Sequence, residues 1–139
     1  MFQHANRPRR CTLAVPGSSA KMLAKAEAME VDQLFFDLED AVAPDLKQDA
    51  RQQVIQALNH QRFLARTLSL RVNDVTTPCC HDDIIAVVSQ AHQRLDTIIL
   101  TKVTCASDVR FVHLLLDQLE QKLGITKTIG IECLIEETQ

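Results

Sequence analysis

Acidic and basic residues gather where short apolar runs end. Leu34-Phe35-Phe36 leads into Asp37-Leu38-Glu39-Asp40, and Leu68-Ser69-Leu70 leads into Arg71-Val72-Asn73. Ile98-Ile99-Leu100-Thr101 leads into Lys102, and Gly130-Ile131-Glu132-Cys133-Leu134-Ile135 leads into Glu136-Glu137. Side chains alternate along a strand, so Asp37 and Glu39 share a face, as do Arg71 and Asn73. By the same rule Lys102 continues the face of Ile98 and Leu100, and Glu132, Leu134 and Glu136 fall together. Charges at the carboxyl ends of parallel strands converge on a pocket, where α/β enzymes place their chemistry.

Each charge has a bland reading beside the functional one. Asp40 and Asp45 suit a turn and a helix start, with Glu39 in solvent. Three crowded acids repel, so an arginine, backbone N–H groups or a metal must lie close. Arg71 on an inward strand face needs an anion: either Asp37 or Glu39 in an internal salt bridge, or a substrate carboxylate matched to its planar fork. Lys102 carries the same two readings. A carboxylate such as Glu136 suits Mg²⁺, which takes one or two acids plus water and substrate.

These residues need a frame. Strand one is read as Cys11 to Val15, stopped by Pro16-Gly17. Helix one is capped at Ser19 and runs through Met22, Leu23, Ala26 and Met29. Strand two is Gln33 to Leu38, and Pro44 opens helix two with Val54, Ile55 and Leu58 at helical spacing. Strand three is Thr67 to Val72. Helix three follows Pro78 with Ile84, Ile85, Val87 and Val88. Strand four is Thr97 to Thr101. Helix four is capped by Ser107-Asp108, buries Val109, Val112, Leu115, Leu116 and Leu119, and ends at Gly124. Strand five is Thr128 to Ile135.

Strict alternation of strand and helix implies a parallel sheet with right-handed crossovers. Two architectures fit: a five-strand flavodoxin-like sheet, or the N-terminal part of a (β/α)8 barrel. A full barrel takes about 250 residues. The stop on a charged strand predicts the second, a truncated barrel with about five β/α units. Its open edges and apolar interior side chains are expected to be unprotected.

Composition narrows the classes. The chain has 139 residues, 46% hydrophobic, and a net charge of −3, so one domain with an ordinary core is expected. Its basic residues are scattered apart from Arg7, Arg9 and Arg10, and Trp and Tyr are absent, which argues against nucleic-acid binding. No apolar run approaches the roughly 20 residues of a membrane span. Cys11, Cys105 and Cys133 read as small buried thiols, and Cys79-Cys80 as a loop pair with a possible redox role; a reducing cytoplasm suits the set. His4, His60, His81, His92 and His113 lack ligand spacing and read as structural or surface residues.

Taken in order, Arg10-Cys11-Thr12-Leu13-Ala14-Val15-Pro16-Gly17-Ser18, Phe36-Asp37-Leu38-Glu39-Asp40-Ala41-Val42-Ala43-Pro44-Asp45 with Lys47, Ala50-Arg51, Arg71-Val72-Asn73, Lys102-Val103 and Ile129-Gly130-Ile131-Glu132-Cys133-Leu134-Ile135-Glu136 form a pattern. It resembles the HpcH/HpaI aldolase and citrate lyase β-subunit superfamily, in its malyl-CoA lyase-like branch. The resemblance implies a (β/α)8 barrel and a Mg²⁺-dependent lyase that cleaves a 3-hydroxyacyl-CoA thioester, malyl-CoA or β-methylmalyl-CoA, to glyoxylate and acetyl-CoA or propionyl-CoA.

Carried over by position, it implies that Arg71 grips the glyoxylate-derived carboxylate and that Glu136 is a Mg²⁺ ligand and substrate contact. Glu39 and Asp40 are implied to line the metal site through water. Ala14, Ser19, Lys25 and Lys102 are implied on the substrate side, the first three toward CoA. The chain departs from the pattern at Ser19, at Ala14, at Thr101 in place of Pro, and at Glu137. A second metal-binding Asp belongs to the next strand, and a further acid to a neighbouring subunit's C-terminal region. The piece alone is therefore expected to be inactive, and homo-oligomers are expected of full-length members. Two alternatives stay open: a citrate lyase β-subunit or citramalyl-CoA lyase, and a non-catalytic remnant or interaction module.

Overall fold

The computed structural model describes residues 8–136. Five strands alternate with four helices: β1 (Thr12–Pro16), α1 (Ala20–Ala26), β2 (Gln33–Asp37), α2 (Lys47–His60), β3 (Thr67–Arg71), α3 (Cys79–Ala91), β4 (Thr97–Leu100), α4 (Ala106–Leu123) and β5 (Gly130–Cys133). All four strand pairs are parallel, and the sheet order is β1-β2-β3-β4-β5. That order separates the two expected architectures. A flavodoxin-like sheet places its second strand outside the first, whereas a barrel adds each strand beside the last. The chain has the fold of the first five strands and four intervening helices of a (β/α)8 barrel.

One face of the sheet carries the cohesion. Leu34, Phe36, Leu38, Leu68, Leu70, Val72, Ile98 and Leu100 join Val54 and Leu58 of α2, Ile84, Val87 and Val88 of α3, and Val112, Leu116 and Leu119 of α4 in one buried cluster. Phe36 meets Phe63 edge-on, with ring centroids 5.2 Å apart. Each such side chain contributes about 1.5–3 kcal/mol on burial. The helices dock through it, and the strands' carboxyl ends are thereby fixed.

The opposite face, expected to be apolar, is largely polar. Glu132 Oε1 accepts from Gln33 Nε2 at 2.7 Å, from Thr97 Oγ1 at 2.6 Å and from Arg9 Nη1 at 2.7 Å. Gln33 also donates to Ser69 at 2.8 Å, and the Ser69 and Thr97 hydroxyls lie 2.6 Å apart. Alternation places Phe35 and Ile99 on this face as its larger apolar members. Gln33, Ser69 and Thr97 are buried, and side chains of other strands supply their hydrogen-bond partners.

Several local expectations shift. Ser19 does cap α1, its Oγ accepting from the Met22 N–H. The helix stops at Ala26, however, with Met22 and Met29 at 47% and 40% exposure, so only Leu23 and Ala26 are buried. Strand one is Thr12–Pro16, one residue later at each end than the expected Cys11 to Val15, strand five is shorter than expected, and Ile85 faces solvent. The cap of α4 is Cys105, two residues before Ser107, with Asp108 closing a capping box. Gly124 closes that helix with φ +65°, a left-handed cap that glycine adopts freely.

The cysteine reading inverts. Cys11, Cys105 and Cys133 are exposed, because they sit before the first strand, in a loop and on the outer strand. Cys80 is the buried thiol, facing the sheet from α3, and burial pushes its pKa up to about 12. Arg7, His4 and Glu137 lie outside the described residues. No helix among the described residues is long and apolar enough to cross a membrane.

Candidate active site at the carboxyl ends of the strands

Register sets Asp37 beside Arg71 on adjacent parallel strands. Asp37 Oδ1 accepts from Arg71 Nε at 2.9 Å and Oδ2 from Nη2 at 2.5 Å. The backbone N–H groups of Glu39 and Ala41 donate to the same carboxylate at 2.8 and 3.2 Å. Burial pushes the Asp37 carboxyl up, but the Arg71 fork and the two N–H groups outweigh it and hold the pKa below its ordinary value. Hydrogen bonding to Asp37 raises Arg71 in turn, against its own burial. The crowded acids thus have the arginine and the N–H cluster that their repulsion demanded. Arg71 also lies over the Phe35 ring, 5.4 Å from its centroid, a cation–π contact.

Glu39 is buried, not solvated. Its Oε1 accepts from Lys102 Nζ at 2.8 Å. Its Oε2 lies 3.6 Å from Arg71 Nη1 and has no hydrogen-bond partner. Asp40 is exposed at the rim, 3.8 Å from Lys102 Nζ. Lys102 arrives here by a route the alternation rule misses. Ile98 and Leu100 pack outward against the helices, yet residue 102 adopts φ +52°. That left-handed turn swings its side chain to the mouth and leaves its N–H 3.1 Å from Glu136 Oε2. Arg71, Glu39, Lys102 and Glu136 are therefore linked in sequence around one rim.

The loop that carries Glu39 is pinned from behind. Lys47 Nζ donates to the carbonyls of Leu38 and Glu39 at 2.7 and 2.6 Å. Asn73 does not share the Arg71 face as expected. β3 ends at Arg71, and Asn73 turns back to donate from Nδ2 to Leu38 O at 3.0 Å and to Asp83 Oδ2 at 2.6 Å. Asp83, wholly buried on α3, also accepts from the Asn73 N–H and from Arg51 Nε. Asp83 escaped the sequence reading. Its signal was an acid beside Ile84 on the stripe that packs inward, where a carboxylate needs a partner.

The oxygens at this rim suit Mg²⁺ in type. Glu39 Oε2 is a buried acceptor without a hydrogen, and Glu136 offers an exposed carboxylate. No cluster of three or more His, Cys, Asp or Glu that could hold a metal ion occurs among the described residues. One or two protein carboxylates completed by water and substrate is the usual Mg²⁺ arrangement. The residues expected at the CoA portion gather elsewhere. Ala14, Ser19 and Lys25 line one open cleft of about 470 Å³ along β1 and α1, together with Leu13, Met22 and Met29. The Ser19 hydroxyl there is already engaged as the helix cap.

Comparison with known proteins identifies the family. The family model for HpcH/HpaI aldolase/citrate lyase matches residues 10–139. The L-malyl-CoA/β-methylmalyl-CoA lyase of Cereibacter sphaeroides is 41% identical over 130 residues, covering 94% of this chain and 41% of that protein. A (3S)-malyl-CoA thioesterase from the same species is 38% identical over 109 residues, covering 78% of this chain and 37% of the relative. The Haloferax volcanii malate synthase magnesium/glyoxylate complex superimposes with a TM-score of 0.87 over 97% of this chain and 44% of its own, at 17% identity, a likeness of fold. The chain thus spans about two fifths of the length of the curated relatives it matches.

Proposed function

The chain belongs to the HpcH/HpaI aldolase/citrate lyase family, and we propose that it carries the carboxylate-gripping part of a Mg²⁺-dependent carbon–carbon lyase of the malyl-CoA type. The reading rests on one observation above others, the posture of Arg71. Asp37 takes the Nε and Nη2 edge and fixes the fork, while Nη1 makes only the looser 3.6 Å approach to Glu39. A guanidinium held this way presents its remaining N–H groups to a small carboxylate.

In this reading Arg71 binds the carboxylate of the glyoxylate half of a 3-hydroxyacyl-CoA thioester. Glu136, with Glu39 and Asp40 acting through water, holds Mg²⁺. When bound, the ion supplies Lewis-acid polarisation of the oxygen that becomes the aldehyde. The C–C bond breaks as the hydroxyl proton leaves, and the bonding pair passes into the thioester as an enolate, giving glyoxylate and acetyl-CoA or propionyl-CoA after protonation. Lys102 closes the same rim beside Arg71, its ammonium resting on Glu39. Lys25 in the β1 cleft faces the CoA portion, its ammonium suited to phosphate, with Ala14 and Ser19 beside it. By the family resemblance a second metal-binding Asp and a further acid lie on other segments, and the chain alone is proposed to bind without turnover, with cytoplasmic homo-oligomers the expected full-length form.

The experiment is a graft. Residues 10–136 replace the matching segment of the Cereibacter lyase, and malyl-CoA with Mg²⁺ is assayed for glyoxylate. Glyoxylate release that is lost in R71A and E136Q grafts supports the proposal. A folded graft without turnover refutes it. Free CoA released without glyoxylate would instead assign thioester hydrolysis, the activity named for the thioesterase relative.

A further inference from the structure

Lys102 is doubly unusual. Among the described residues it is the one non-glycine with positive φ, a conformation that β-carbon sterics disfavour and that persists at ligand clamps and switches. The turn also delivers two separate contacts. The ammonium sits 2.8 Å from Glu39 Oε1 and 3.8 Å from Asp40, while the backbone N–H holds Glu136 Oε2 at 3.1 Å. One residue therefore occupies, with a positive charge and a hydrogen-bond donor, the carboxylates assigned above to a divalent cation.

Two further details bear on what this does. Glu39 keeps Oε2 buried and unbonded while Oε1 is taken by the ammonium. The Lys102 side chain is 38% exposed, so it has solvent to move into without disturbing the core. Lysine is a compact charge on a flexible stem, and carboxylates of like sign left alone in one pocket repel.

We infer that Lys102 is a built-in counter-cation, whose ammonium competes with a divalent cation for the Glu39 side of the rim and swings to solvent when the cation binds. The inference rests on the magnesium-site reading above and adds to it a device that keeps the acids apart in order without a metal. It predicts that deleting the ammonium strengthens metal binding, the reverse of what a supporting ligand-shell residue would do.

The test is Mg²⁺ and Mn²⁺ titration of the whole chain by calorimetry and by Mn²⁺ electron paramagnetic resonance, in wild type, K102M, K102G and K102R. K102G relaxes the left-handed backbone and K102M does not, so an effect common to both belongs to the ammonium; circular dichroism melts identify which variants fold, and either folded one decides. Both are expected to bind the ion roughly tenfold more tightly than wild type at low salt, the scale for one partly screened charge acting on a divalent ion. The gain shrinks as added salt screens it, and K102R matches wild type. No gain in a folded ammonium-less variant, including no binding at all, overturns the inference. E136Q separates the two claims. If it abolishes binding while K102M leaves affinity unchanged, only the Lys102 inference falls; if E136Q leaves binding intact, the metal-site reading falls and this inference with it.

Discussion

Replacing Asp37 with Asn removes the charge that organises the rim while keeping its size. The wild-type carboxylate is 2% exposed and accepts four hydrogen bonds, two from Arg71 and two from backbone N–H groups. An amide has one oxygen for these four donors, and its NH₂ group faces donors. Arg71, itself 16% exposed, is left with Glu39 at 3.6 Å as its nearest formal counter-charge among the described residues. Breaking a buried ion pair from one side costs about 3–5 kcal/mol. With a urea m-value near 2 kcal/mol/M, the midpoint should fall by about 2 M. The pH dependence gives an independent check. Asp37 is depressed below its unfolded value of 3.8, so its contribution is fully present above that value and is lost as pH falls through the lower folded pKa. Urea melts of wild type and D37N should differ most near neutrality and converge in acid. A loss under about 1 kcal/mol, or a gap that does not narrow below pH of about 4, refutes the view that this pair anchors the rim.

Two other outcomes follow from packing. Gly17→Ala would place a Cβ 2.9 Å from Leu38 Cδ2 and Val54 Cγ2 and 3.0 Å from the Asp37 carbonyl; overpacking against fixed backbone should cost about 1–3 kcal/mol, read as a lowered thermal midpoint. A thiol reagent at neutral pH should label Cys11, Cys105 and Cys133 quickly and Cys80 only after denaturation, since the last is buried with its pKa pushed up to about 12; mass spectrometry of timed samples reads the order.

The strands and the outward stripe were legible because both obey fixed periods. Leu34, Phe36 and Leu38 alternate, as do Leu68, Leu70 and Val72, and every one is buried. Asp37 and Glu39 followed the same rule into the mouth. What escaped had left the period. Lys102 lies past the end of β4, where a single φ of +52° reverses the face that counting assigns. Asn73 lies past the end of β3 and is drawn back by Asp83. The cysteines were misjudged because burial depends on which layer covers a strand, and Cys133 stands on the outer strand of the described sheet. Asp83 was hidden by its neighbours: a charge within an apolar stripe becomes intelligible only when Arg51 and Asn73 are seen to close on it.

The separation of the two sheet faces has a consequence for how such a frame changes over time. Below the rim, Thr12, Gln33, Ser69 and Thr97 line the trough with small hydroxyls and an amide, and none belongs to the greasy layer that binds sheet to helices. A substitution in the trough that keeps these hydrogen bonds paired would reshape its lining and leave the apolar layer on the other side as it is.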